Sequence, residues 1–480
     1  MKIPRLVGEQ CRILYLPKND NQVVLGVAGS GKSVEAVCRA IWMSMMEPHE
    51  KILLLTCNTE VNEQLKAMIE SDHKNAHKNI LVSTIYSYCQ NVINDYYPDY
   101  GPLKKIARNI RHKNDLVSTT ILEEESLLAS AVNHVKEKYP DNTLWNKKYL
   151  NRFISNESHW IEDNNITTAK QYEHVKRIGR GTERISSIQR PIMYKVFQQF
   201  QNMRTQNLGK SFSFHDIFWH IPELSIPEEK KAKYIIIDEV QDVSPAMFTA
   251  LKHLIKKDGY WSVFGDLSQN IFGQRISWSS LGLDNIKKQY RLRKNYRNSK
   301  EISILAKKIL DTNYFDHTNN FIEPIPGSRI GGKIQYFKQD NSNWIKTLLT
   351  YLKYDSCAII YMSGYDAKIL KNNLSNHNIH YTTDIKNCNS HQVFIQSINK
   401  IKGLEFDNVI FYGIDKSTYE MRSEISDPQD HTLNFKEMTD DDKAIYAKYV
   451  YVAITRARNN LTIVYKNEPP HRLFPNVFDK

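Results

Sequence analysis

Residues 26–33 read Gly-Val-Ala-Gly-Ser-Gly-Lys-Ser, the spacing GxxxxGK[ST]. The flanks give this short motif its weight. An apolar strand pattern, Gln22–Gly26, precedes it, and a helical pattern from about Lys32 to Met46 follows. In that setting the glycines let the main-chain N–H groups of Gly26, Val27, Ala28, Gly29, Ser30 and Gly31 turn inward as an anion nest. The helix N-terminus adds its partial positive charge. Such a loop takes phosphates. Lys32 is placed to reach the β- and γ-phosphates of a nucleoside triphosphate, and Ser33 to ligate a divalent ion.

The loop also dictates fold class, because a strand feeding a helix in this way belongs to a parallel α/β sheet. Strand patterns recur at Lys51–Thr56, Ile80–Ser83, Tyr234–Asp238 and Trp261–Gly265. From about Asn91 to Ser211 the chain turns polar, charged and helical in period, as an insertion into the first sheet would. A second α/β region is expected from Ile286. Its strands are Gly332–Phe337, Cys357–Met362, His380–Thr383, Gln392–Ser397, Asn408–Tyr412 and Leu461–Tyr465, with helices at Trp344–Leu352 and Ala367–Leu374. Ser417–Asp440 is expected as an acidic surface loop. The expected units are 1–90 with 212–285, the insertion 91–211, and 286–480. A chain of 480 residues suits about three units of ~150 residues.

The strand Tyr234-Ile-Ile-Ile ends in two adjacent carboxylates, Asp238 and Glu239. A carboxylate at the C-terminal end of a parallel strand faces the crevice where ligands bind. Asp238 is therefore expected to hold Mg²⁺, and Glu239 to orient and deprotonate an attacking water.

Composition narrows the partners. The net charge of +12 favours a polyanion. The stretch Tyr172–Arg190 carries Lys176, Arg177, Arg180, Arg184 and Arg190, which suit either a solvated helix face or a phosphate-contacting surface. The six cysteines contain no CxxC pair, which offers neither a zinc site nor a disulfide framework and suits a reducing cytoplasm. No apolar run reaches about 18 residues and the first residues lack an apolar leader segment, so no membrane association is expected.

Further motifs follow in order. They are Asp238-Glu-Val-Gln-Asp242, Val263-Phe-Gly-Asp266-Leu-Ser-Gln269, Asn295-Tyr-Arg297, Lys402-Gly-Leu-Glu405-Phe406 and Tyr451-Val-Ala-Ile-Thr-Arg456-Ala. Together with the phosphate loop they resemble the UvrD/Rep/PcrA group of superfamily 1 helicases, from Gln10 to about Tyr465. The resemblance implies two tandem RecA-like domains with ATP and Mg²⁺ between them, and ATP-driven movement along single-stranded nucleic acid, DNA before RNA, in the 3′ to 5′ direction. By the same resemblance Gln10 reads adenine, Tyr296 stacks on it, and Gln269 senses the γ-phosphate. Arg297 touches that phosphate from the second domain, Glu405 contacts the ribose, Gly403 lies in the nucleotide site, and Arg456 is the arginine finger. An arginine supplied across a cleft stabilises transition-state charge only when the cleft closes.

The matching strand contacts are Thr56, Asn58, Thr84, Tyr86, Phe272 and Arg275. Here the chain departs from the family. Cys57 stands where Phe is common, Gln274 where a stacking Trp is usual, Phe272 for Tyr, and Ile276-Ser277 for Gly-Ala. Tyr86 stands where His is frequent. A thinner stacking ladder implies a weaker or partner-assisted grip on the strand. Only Asp384–His391 fills the place where larger relatives insert a further domain, so that domain is expected to be missing. A second reading stands beside the motor: an ATP-dependent switch acting with a protein partner such as a nuclease, as short relatives do in anti-phage defence. A small-molecule kinase would not need the second-domain arginines.

Overall fold

The apolar runs form two parallel sheets. The computed structural model describes residues 3–72, 77–96, 116–147, 150–175, 177, 184–206, 217–269, 289–315, 317, 321–353, 356–385, 392–414, 417–419, 432–434, 440–466, 474, 477 and 478. The first sheet holds β1 (Gln22–Gly26), β2 (Ile52–Thr56), β3 (Ile80–Thr84), β4 (Ala232–Ile237), β5 (Ile255–Gly265) and β6 (Gln289–Leu292). Their order is β3-β2-β4-β5-β1-β6, all parallel. β6 lies beyond the boundary expected at residue 285, yet pairs with β1 from Val23↔Gln289 to Gly26↔Leu292.

β1, β2 and the Tyr234–Ile237 part of β4 are buried throughout, the near-continuous apolar pattern of strands covered on both faces. The two-residue period divides them. Val24, Leu54, Tyr234, Ile236 and Phe264 pack with α2 (Lys32–Met46) and α3 (Thr59–Glu70). Val23, Leu55, Ile235, Ile237 and Val263 pack with α4 (Ile85–Tyr96).

Between β3 and β4 the chain leaves the sheet for a helical unit of α5 (Leu116–Lys138), α6 (Leu150–Asp163), α7 (Ala169–His174) and α8 (Gln189–Gln206). It has its own core of Ile154, Trp160, Tyr172, Phe197 and Phe200. Thr168 and Gln171 form a capping box at the start of α7. Two arginines of the basic stretch turn inward. Arg177 donates to both oxygens of buried Glu157, Nε–Oε1 at 2.7 Å, and Arg190 caps α7 through the carbonyls of Tyr172, Glu173 and Val175. Their charges serve the fold. Arg184 contributes an exposed residue, and Lys176 and Arg180 lie outside the described residues.

The second sheet comprises β7 (Lys333–Lys338), β8 (Cys357–Tyr361), β9 (Tyr381–Thr382), β10 (Val393–Ser397), β11 (Phe406–Ile414) and β14 (Ala457–Tyr465), in the order β7-β14-β11-β8-β10-β9. It too is parallel. Within the expected acidic loop a short antiparallel ribbon forms, β12 (Ser417–Tyr419) with β13 (Thr432–Asn434). Among the described residues no helix is long and apolar enough to cross a membrane.

One buried arginine ties the N-terminal helix α1 (Glu9–Leu14) to this frame. Arg39, on α2, donates to the carbonyls of Leu14 at 3.1 Å, Leu16 at 3.0 Å and Pro17 at 3.1 Å, and to Ser262 Oγ at 3.0 Å. It thereby satisfies carbonyls at and just beyond the α1 C-terminus, which the helix itself leaves open. Arg39→Met would strand these acceptors at a cost of about 3 kcal/mol. Calorimetry should show the unfolding temperature lowered by several degrees. Arg39→Lys should recover only part of the loss, because an ammonium cannot reproduce the guanidinium fork.

Candidate functional site

The strand order brings three chemical groups to one edge. β4, β5 and β1 are adjacent, so the residues that follow each one meet at their C-terminal ends. These are Asp238-Glu239 after β4, Asp266 after β5, and the loop 26–33 after β1. Gly29 (φ 72°) and Gly31 (φ 90°) adopt the left-handed conformation this loop needs. Space matters as much. A Cβ on Gly29 would stand 2.4 Å from Asn295 Oδ1, and one on Gly31 2.2 Å from Gln10 Nε2.

Lys32 begins α2. Its Nζ donates to the carbonyls of Gly26 and Val27, each at 3.0 Å, and lies 4.0 Å from Asp266 Oδ2. Burial lowers its pKa, against the opposing pull of Asp266, Glu239 and Asp238. Asp238 is fully buried, and burial with the neighbouring Glu239 pushes its carboxyl up, against the Ser33 hydroxyl and Lys32. Its Oδ2 has no hydrogen-bond partner, nor has Ser30 Oγ. Glu239 behaves oppositely. Burial raises it, but Lys402, Lys32 and the Gln241 amide outweigh that and hold it down. Glu239 takes a left-handed φ of 59°, a strained backbone for a residue with a side chain. Gln241 spans the edge, donating to Glu239 Oε2 and accepting the Asp266 N–H at 2.9 Å.

Gln10 reads the loop from α1. Its Oε1 accepts the Val7 N–H at 2.8 Å and its Nε2 donates to Ser30 O at 2.8 Å. Tyr296 donates its main-chain N–H to Gly29 O at 2.9 Å, which sets the ring beside Val7 and Gly8.

The second sheet closes on the same loop. Ala28 packs in the second sheet's apolar cluster, and its N–H donates to the Tyr451 hydroxyl at 3.4 Å. Arg456, buried at the end of α9 (Asp440–Thr455), donates to Gln269 Oε1 at 2.9 Å, and Gln269 donates to Asp266 Oδ2 at 2.7 Å. A chain of polar contacts therefore runs from Arg456 through Gln269 and Asp266 to Lys32. Burial and the nearby Arg297 lower the Arg456 pKa to about 10, leaving it charged at neutral pH. Arg297 pairs with Glu405, which Arg458 also holds. Despite burial, Arg297 and Arg458 bring the Glu405 carboxyl down to about 2. Gly403 (φ 84°) packs so tightly that a Cβ would fall 2.1 Å from Val61 Cγ2 on α3.

Sequence reasoning singled out Lys32, Gln269, Arg297 and Arg456, but gave no role to Asp266, Gln241, Asp242, Lys402, Tyr451 or Arg458. Asp266 follows the C-terminal end of β5, the same signal that marked Asp238. The pairings of Asp242, Lys402, Tyr451 and Arg458 are long-range and leave no local trace.

The expected strand contacts are placed unevenly. Thr56 is fully buried. Thr84 is nearly so, and its Oγ1 accepts the Ser87 N–H at 3.1 Å at the start of α4. Asn58 caps α3 and donates Nδ2 to Lys402 O at 3.1 Å. Tyr86 stands edge-on to Phe218 with centroids 6.5 Å apart. Phe272, Gln274, Arg275, Ile276 and Ser277 lie outside the described residues.

Comparison with known proteins settles the family. Residues 7–291 match the UvrD/REP helicase N-terminal domain, and residues 382–468 match the UvrD-like helicase C-terminal domain. The chain belongs to the UvrD-like helicase family. It is 22% identical over 386 residues to the ATP-dependent DNA helicase PcrA of Staphylococcus epidermidis, covering 75% of this chain and 48% of that protein. PcrA of Bacillus subtilis is 24% identical over 338 residues, 66% of this chain and 41% of that one. The ATP-dependent DNA helicase Rep of Buchnera aphidicola is 23% identical over 491 residues, covering 95% of this chain and 68% of Rep. The matched region thus spans less than half the length of either PcrA protein.

The Gly403–Val61 contact makes closure testable without any ligand. Gly403→Ala combines a strained φ with a clash and should hold the two sheets apart. Small-angle scattering should show a larger radius of gyration than the parent chain. An unchanged radius would mean that the contact does not set the closed arrangement.

Proposed function

We propose that the chain is a UvrD-like motor that hydrolyses ATP between its two sheets and moves along single-stranded DNA, 3′ to 5′. The polar chain from Lys32 through Asp266 and Gln269 to Arg456 carries this reading, since it joins both sheets at the phosphate loop. The units we adopt are 1–90 with 212–285 as the ATP-binding domain, 91–211 as a helical insertion, and 286–480 as the second RecA-like domain. To the first we add β6. The short connection between Thr382 and Val393 supports the reading that the further domain of larger relatives is missing.

Each residue then has a part. Inward-facing N–H groups of the 26–33 loop receive the phosphates, and Lys32 exchanges the Gly26 and Val27 carbonyls for the β- and γ-phosphate oxygens. Gln10 and Tyr296 place the base, and Glu405 the ribose. Glu239, kept ionised, accepts the proton of the attacking water. Gln269, Arg297 and Arg456 gather around the γ-phosphate and stabilise the charge it develops. Asp238 and Ser33 suit Mg²⁺: both are hard oxygen donors, and Asp238 Oδ2 is buried without a partner. When bound there, the ion would supply charge neutralisation to the phosphates as their negative charge develops. γ-Phosphate contacts favour closure and its loss releases it, a two-state hinge that becomes stepping if each state grips the strand differently.

Steady-state ATP turnover, with and without single-stranded DNA, tests the reading, alongside unwinding of 3′- and 5′-tailed duplexes. DNA should stimulate turnover strongly, and only 3′-tailed substrates should be opened. Turnover indifferent to DNA would favour the partner-dependent switch instead. Lys32→Ala should abolish turnover, and Glu239→Gln should bind ATP yet hardly hydrolyse it. Arg456→Lys should lower kcat by roughly 10³-fold with little change in KM. Normal turnover in any of the three would overturn the assignment.

A further inference from the structure

Lys402 takes no part in the nucleotide contacts above, yet it belongs to the second unit and reaches two separate segments of the first. Its Nζ holds Asp242 with both oxygens, at 2.6 and 2.8 Å, and both side chains are almost wholly buried. Its main-chain carbonyl accepts Asn58 Nδ2 at 3.1 Å. Asn58 is an expected strand contact and the cap of α3, accepting the Glu60 N–H at 2.8 Å. Asp242 closes the turn that carries Glu239, through its own N–H to Glu239 O at 3.0 Å. One residue thus joins the strand-facing end of β2 to the turn bearing the water-activating carboxylate.

Energetics make this pair a switch more than a brace. A buried ion pair gains little over hydrated charges, since desolvation offsets most of the attraction. It is therefore readily split when the cleft opens and water returns. Removing one partner is a different matter, because closure must then bury a lone charge, which is strongly unfavourable. Closure and pairing are one event. A strand phosphate or base competing for Asn58 Nδ2, or reinforcing its geometry, acts on that event directly.

We propose that Lys402 and Asp242 form the relay that couples occupancy of the strand face to the ATP cleft, with Lys402 a positioning residue for the turn that carries Glu239. The proposal rests on the motor reading given above. Lys402 sets how far a bound strand accelerates turnover, not how tightly ATP binds.

The test measures ATP turnover of the full chain against ATP concentration, with and without a thymidine oligonucleotide. The variants are Lys402→Met, Asp242→Asn, the double variant and Lys402→Arg. Each single change should cut DNA-stimulated kcat roughly tenfold while KM for ATP stays within about twofold, which also certifies a folded ATP site. The double variant should be no worse than the singles, because the two act as one unit. Lys402→Arg, which can still chelate a carboxylate, should restore most of the stimulation. Singles whose losses multiply in the double variant, or full stimulation in Lys402→Met, would overturn the relay alone. A parent chain with no DNA-stimulated turnover would overturn the motor reading and the relay with it.

Discussion

The hydrogen bond from Arg456 to Gln269 is the contact on which the site depends, because it joins the two sheets beside the phosphate loop, where Ala28 also packs into the second sheet's core. A buried guanidinium is costly unless every donor is used. Arg456 makes four bonds, to Val452 O, Leu404 O, Thr455 Oγ1 and Gln269 Oε1, so each of its nitrogens is engaged. Three of these acceptors belong to its own unit and hold it ready. The fourth lies across the cleft, so the arginine is oriented before any ligand arrives.

Charge balance explains why such a cleft can close at all. Lys32, Arg297 and Arg456 converge with Asp238, Glu239, Asp266 and Glu405, and opposite charges offset part of what burial does to Lys32, Arg456, Asp238 and Asp266. Lys32 resting on the Gly26 and Val27 carbonyls is a neutral-acceptor stand-in for what the loop is shaped to bind. An incoming polyphosphate offers stronger, charged acceptors in the same place. The adenine-side elements are fixed by different means: α1 is tethered by Arg39 and Tyr296 by its main-chain bond to Gly29.

Much of this was legible in the sequence because parallel strands buried on both faces print their burial directly. Ile235-Ile-Ile237 could hardly be anything but a central strand, and the carboxylates after it inherit a ligand-facing position. Gln289–Leu292 escaped notice because an edge strand is only half covered and its polar residues break the pattern. The basic stretch was ambiguous for a related reason. Composition counts charges without naming partners, and only the fold shows Glu157 waiting for Arg177. Lys402 and Asp242 were likewise invisible as a pair, since nothing local links positions so far apart in the chain. Asp266 could have been found, as its place after β5 repeats the argument that singled out Asp238.

A crystal structure of the full chain with ADP and aluminium fluoride addresses the central claim most directly. The account requires one nucleotide with its fluoride within hydrogen-bond reach of Lys32 on one wall and Arg456 on the other. A nucleotide held by the first sheet alone, with Arg456 turned away from it, would contradict the account.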